Sequence, residues 1–189
     1  MQPIHWTGFP NVFGSDWERH CRLVARRIAK DSKSDSWCLG IFYDNELEWY
    51  GKRGFLVDEL FQRDAGHTAK QAFWAWLLTC FGNVDGVNRA LGTRYADATA
   101  FLKTTEVPAA SDELNTVRND FLTVIAERYF QACYEALKAI TGDDLGRKPA
   151  WWRRLKSCGR GPIYIPGCLR CVPSDTDRSS ISSKVAMIW

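Results

Sequence analysis

The chain has 189 residues, 46% of them hydrophobic, and a formal net charge of +3, which suits one domain, or one domain and a small remnant, with a substantial core. No run approaches the roughly 18 apolar residues of a membrane-crossing helix, and the opening MQPIHWTGFP has neither the basic region nor the apolar stretch of a secretory leader. Of seven cysteines, Cys21, Cys38, Cys80 and Cys133 fall inside apolar patterns, which fits buried thiols better than a disulfide framework.

Two compositional features stand out. Nine Trp, ten Phe and six Tyr supply rings for a core or for stacking on a sugar or base, the core being the commoner use. Charge is split unevenly: residues 1–146 hold 16 Lys/Arg against 20 Asp/Glu, whereas residues 147–189 hold nine against two.

Residues 1–14 read as irregular loop. Ser15-Asp16-Trp17-Glu18 has the form of a capping box, and the helix it opens carries Trp17, Cys21, Val24 and Ile28 on one face and ends near Lys30. After the polar loop DSKSDS, the unalternating apolar run Trp37–Tyr43 predicts a strand buried on both faces, as in a parallel sheet. It ends in DNELEW. A loop containing Gly51, Gly54 and Gly66 leads to a second capping box at Thr68–Gln71 and a helix with Phe73, Trp76, Leu77, Cys80 and Phe81 on its apolar face, stopped by Gly82. Short helices are expected at Val84–Leu91, closed by Gly92, and at Ala96–Lys103. Beyond Pro108 a long helix should run from about Asp112 to Ile140, with Val117, Phe121, Val124, Ile125, Ala132, Ala136 and Ile140 inward. From Arg147 onward neither helical period nor alternation is visible. Residues 147–189 therefore read as an irregular basic tail, either out-of-frame or foreign sequence or a divergent natural extension.

The acidic DNELEW lies at the carboxyl end of the expected strand, the end that forms the active face of barrel enzymes. Asp44-Asn45 is equally a good turn pair, so a plain hairpin is the competing reading.

The segments FPNVFGSDWERHC (9–21), LGIFYDNELEW (39–49), AKQAFWAWLLTCFGNVDGVNRALGTRY (69–95) and FLTVIAERYFQACYEALKAI (121–140), in this order, resemble glycoside hydrolases of families 42 and 50. These include β-galactosidases and β-agarases, (β/α)8 enzymes of clan A. The resemblance covers about residues 9–140 and implies an α/β fold, a partial TIM barrel rich in helix, with residues 1–146 as the barrel portion. It implies that Asn45-Glu46 ends the fourth barrel strand, with Glu46 as general acid/base and Asn45 bonding the sugar 2-hydroxyl. Trp49 and Tyr43 become candidate walls of the sugar pocket, core packing being the alternative for Tyr43. Glu48 reads as a solvated loop charge.

Glycosidic cleavage needs two carboxylates, one to protonate the leaving oxygen and one to attack or to activate water. The family's nucleophilic Glu ends the seventh strand, and the last Glu here is Glu135, inside the long helix. The 36 residues before Trp37 also cannot hold three strands. The chain is therefore expected to be an incomplete and inactive piece of such an enzyme. Its implied partner is a β-galactoside or a galactose-containing polysaccharide, with no cofactor, metal, nucleic acid or membrane required. Two other classes compete: a non-catalytic carbohydrate-binding or interaction protein on the same scaffold, and a basic-tailed nucleic-acid binder using Trp151, Trp152 and Tyr164. Cys158, Cys168 and Cys171 make three thiols where a structural zinc site wants four ligands. His5, His20 and His67 are isolated.

Overall fold

A computed structural model describes residues 3–4, 8–32, 41–42, 49, 55–141 and 186–187. The elements are α1 (Asp16–Ser32), β1 (Ile41–Phe42), α2 (Asp58–Phe61), α3 (Thr68–Phe81), α4 (Val84–Leu91), α5 (Ala98–Lys103), α6 (Asp112–Thr141) and β2 (Ala186–Met187). The described part is thus helix-rich, and its only sheet is the parallel pairing of Ile41 with Ala186 and Phe42 with Met187. The chain divides into two compact units, one of residues 1–17 and 48–129, the other of residues 18–47 and 130–189.

The first unit is organised around phenylalanine. Phe61, Phe73, Phe101 and Phe121 are all fully buried. Phe73 is the hub, edge-on to Phe61 at 5.5 Å and to Phe101 at 6.0 Å, and 4.6 Å from Phe121. Ring pairs at these separations add to the gain from area burial. Leu56, Leu60, Leu77, Leu114 and Ile125 complete the apolar interior.

The helix ends follow from local chemistry. Asn83 and Asp97 cap α4 and α5 by accepting the N–H of Gly86 at 2.9 Å and of Ala100 at 2.8 Å, and Ser111 accepts that of Leu114 at 3.0 Å at the start of α6. Gly82 and Gly92 end α3 and α4 at φ of 82° and 64°, conformations that favour glycine. α5 begins at Ala98, two residues later than its apolar pattern suggests, because Asp97 takes the cap position.

The expected capping box at Thr68 does not form. Thr68 is already the first helical residue, His67 occupies the cap position and its side chain does not cap the helix, and the Thr68 hydroxyl accepts instead from Asn11 Nδ2 at 2.7 Å. Gln71 reaches back to the Ala65 carbonyl at 3.0 Å. The buried face of α3 is also rotated from the expected one: Ala69, Lys70, Phe73, Trp74 and Leu77 are inside, while Cys80 is exposed and Trp76 and Phe81 are half-buried. Lys70 explains the rotation. Its side chain is fully buried, and its ammonium donates to the carbonyls of Phe61 (2.9 Å), Arg63 (2.9 Å) and Thr104 (2.5 Å). A buried cation is tolerable when all its donors are used. Desolvation still pushes its pKa down, opposed by the charge of Asp64.

The second unit takes the remainder of α1 and α6. α1 buries Cys21, Ala25 and Ala29, leaving Val24 and Ile28 half-buried, and it continues two residues past Lys30. α6 buries Phe130, Cys133, Tyr134, Ala136 and Leu137 here; Ala132 and Ile140, expected inside, are half-buried, as is Val124 in the first unit. Within the expected strand at residues 37–43, Ile41–Phe42 are extended and Ile41 is half-buried rather than fully enclosed. Of the hairpin alternative at residues 41–50, residues 43–48 and 50 lie outside the described residues, as does all of the tail except Ala186–Met187.

Candidate active site

Of the four candidate site residues, Tyr43, Asn45 and Glu46 lie outside the described residues, as do Glu48 and the cysteines at 158, 168 and 171. Trp49 is described. It is half-buried in the first unit, edge-on to Phe9 at 5.3 Å and to Tyr129 at 6.2 Å. Tyr129 in turn stacks on Trp17 at 5.1 Å, and Phe9 lies 6.1 Å from it. The four rings form one aromatic cluster that fixes the plane of the Trp49 indole through two edge-to-face contacts.

The backbone that carries Phe9 is held by long-range bonds. Gly8 turns the chain at φ 94°, the Ile4 N–H bonds the Phe9 carbonyl at 2.8 Å, and Arg63 Nε donates to the Ile4 carbonyl at 2.8 Å. Arg128 Nε donates to the Val12 carbonyl at 2.6 Å, its guanidinium lying over Phe13 at 5.4 Å. Asn11, itself buried, accepts the Phe13 N–H at 3.1 Å. Residues 8–14 read as irregular from sequence because their order comes from partners 50 to 120 positions away.

A second polar feature is an open depression of about 410 Å³ lined by Asp85, Asn88, Arg89, Thr93, Arg94 and Tyr95. Asn88 is its fixed point. Its amide oxygen accepts from the Tyr95 N–H at 2.8 Å and from the Thr93 hydroxyl at 3.0 Å, and its amide donates to the Tyr95 carbonyl at 2.9 Å. Asn88, Gly92 and Thr93 therefore meet in one turn, with Gly92 supplying its left-handed residue. The Tyr95 phenol is pushed above its ordinary pKa, first by burial and then by Glu106, against a hydrogen bond with Thr93 that lowers it.

Among the described residues no group of three or more His, Cys, Asp or Glu is placed to hold a metal ion. No helix among them is long and apolar enough to cross a membrane.

No protein-family model matches the chain. In sequence it is similar to β-agarase B of Vibrio sp. (strain JT0107), 21% identical over 149 residues, which cover 75% of this chain and 16% of that protein. In fold it is similar to an exo-β-agarase (TM-score 0.65, 21% identity, 72% of this chain and 19% of that one) and to the agarase AgWH50C (TM-score 0.67, 21% identity, 76% and 23%). PfGH50B gives a TM-score of 0.63 at 22% identity, over 70% of this chain and 20% of its own. The chain thus spans less than a quarter of the length of each of these relatives. It shares the fold of part of the agarase structures and a distant sequence relationship to a β-agarase; a relationship to family 42 has no counterpart in these likenesses.

Proposed function

We propose that this chain is the acid/base-bearing part of an agarase-type glycoside hydrolase barrel acting on a galactose-containing polysaccharide. The observation that carries this reading is the coincidence of a β-agarase-like sequence with an agarase-like fold, each over at least 70% of the chain. Glu46 is the general acid/base. Asn45 holds the sugar 2-hydroxyl, and Tyr43 and Trp49 wall the pocket; the ring cluster that orients Trp49 supports that role by giving a sugar face a fixed indole.

The mechanism is retaining. The Glu46 carboxylic acid gives its proton to the glycosidic oxygen as the bond to the anomeric carbon breaks, and a second carboxylate about 5–5.5 Å away attacks that carbon. Glu46, now a carboxylate, then takes a proton from the water that releases the sugar. In this reading the second carboxylate belongs to a part of the barrel other than this segment, and the chain alone binds sugar without completing the cycle.

Calorimetric titration of the chain with an agaro-oligosaccharide, alongside a reducing-end assay, tests this. Saturable binding, weakened at least about tenfold (about 1.4 kcal/mol) by Asn45→Ala or Trp49→Ala and without release of reducing ends, is the expected result. Absence of saturable binding, or equal binding of a cello-oligosaccharide, contradicts the substrate class, and turnover by the chain alone contradicts the two-carboxylate division.

A further inference from the structure

Two cysteines that the proposed chemistry does not use meet inside the second unit. Cys21 of α1 and Cys133 of α6 lie 112 positions apart in sequence, yet their sulfurs are 4.0 Å from each other, and both residues are about nineteen-twentieths buried. We propose that Cys21 and Cys133 are a redox modification site, a thiol pair that closes to an intramolecular disulfide joining α1 to α6.

The geometry favours this pair over any other described thiol. A disulfide needs sulfurs about 2.05 Å apart, so closure asks for about 2 Å of approach between the two sulfurs. Cys80, the third described cysteine, is exposed and sits on α3 in the other unit. On the carboxyl side of Cys21 the buried face of α1 carries only the small side chains of Ala25 and Ala29, and its bulky neighbour on that face is Trp17, one turn before it. The hydrogen bond from Cys133 lowers the Cys21 thiol pKa, with burial opposing it, and the thiolate is the form that attacks a disulfide.

A small-molecule disulfide, oxidised glutathione, serves as oxidant. The Cys21 thiolate attacks one of its sulfurs, the S–S bond breaks, and one glutathione leaves as thiolate. Cys133 then loses its proton and attacks the Cys21 sulfur, forming the Cys21–Cys133 bond and expelling the second glutathione. Two protein thiols are oxidised and one glutathione disulfide is reduced to two thiols. Burial means that local opening sets the rate, while closure of a loop of this length gives a large loss of unfolded-state entropy.

The full chain is treated with oxidised glutathione at rising concentration until the exposed Cys80 is fully modified. It is then blocked with alkylating reagent under denaturing conditions, digested and analysed by mass spectrometry. The expected products are a peptide pair linked through Cys21 and Cys133, split by dithiothreitol, and a melting temperature several degrees above that of the reduced chain. That rise should vanish in Cys21→Ala or Cys133→Ala and persist in Cys80→Ala. Recovery of Cys21 and Cys133 as alkylated thiols when Cys80 is modified overturns the proposal, as does linkage of either one to a different cysteine. The peptide analysis of the unsubstituted chain decides the matter even if a variant fails to fold.

Discussion

Arg118 grips Asp58 in a two-pronged ion pair, Nε to one carboxylate oxygen and an Nη to the other, both at 2.8 Å, with the two side chains 7% and 3% exposed. A third donor of the guanidinium reaches Asn115 Oδ1 at 2.8 Å, and its plane lies over Phe55 at 4.2 Å. The pair ties the one-turn helix α2 to α6 across 60 positions of sequence. Breaking one side strands a charge in the interior, so Arg118→Ala should destabilise by about 3–5 kcal/mol. The double variant Asp58→Leu/Arg118→Met should lose much less. Denaturant unfolding of the three chains measures both, and equal losses for single and double variants would contradict the pairing.

Gly86 is required by space rather than by backbone angle. A Cβ there would collide with the Phe81 carbonyl oxygen and stand 3.1 Å from its carbon, and a backbone atom cannot swing aside. Gly86→Ala should therefore cost on the order of 1–3 kcal/mol, as overpacking does, although alanine is the better helix former. A gain in stability in denaturant unfolding would show that α3 and α4 are not this close.

Tyr95 gives a pH-dependent signature. Burial and Glu106 raise its pKa above the ordinary value of about 10. Between the ordinary and the raised value the folded state keeps a proton that the unfolded state has lost. Tyr95 thus contributes stability that is fully present below about pH 10 and is lost as pH rises through the raised value. Subtracting the alkaline phenolate absorbance of Tyr95→Phe from that of the parent chain should give one phenol ionising above pH about 10, and Tyr95→Phe should lose less stability over that range. A difference curve centred at or below pH 10 would contradict the burial account.

Punctuation was the most legible part of the fold. The glycines at 82 and 92 and the long apolar period from Asp112 place helix ends to within a residue or two, because caps and φ>0 positions are local chemistry. Faces were less legible. The α3 pattern of Trp76, Cys80 and Phe81 was outvoted by Lys70, whose three carbonyl acceptors come from segments that periodicity cannot see. The four residues of α2 are too few to carry a period, and Asp58 reads as a surface charge until Arg118 arrives from α6. In the candidate site, Trp49 could be named from sequence but its companions Phe9, Trp17 and Tyr129 could not. Each lies in a different segment, and only the packing of those segments unites them.

The central claim, that Glu46 is the acid/base of an agarase-type cleavage, is tested most directly by leaving-group dependence. Glu46→Gln is measured in a protein that contains this segment together with a second catalytic carboxylate. Protonation of a poor leaving group is worth roughly 10²–10⁴-fold, so hydrolysis of agarose should fall by about that factor. An aryl galactoside whose leaving group needs no proton should lose far less in the bond-breaking step. Azide should partly restore turnover, because an anion can replace the water that Glu46 deprotonates. Near-parental rates on agarose with Glu46→Gln would contradict the account and leave DNELEW as an ordinary turn.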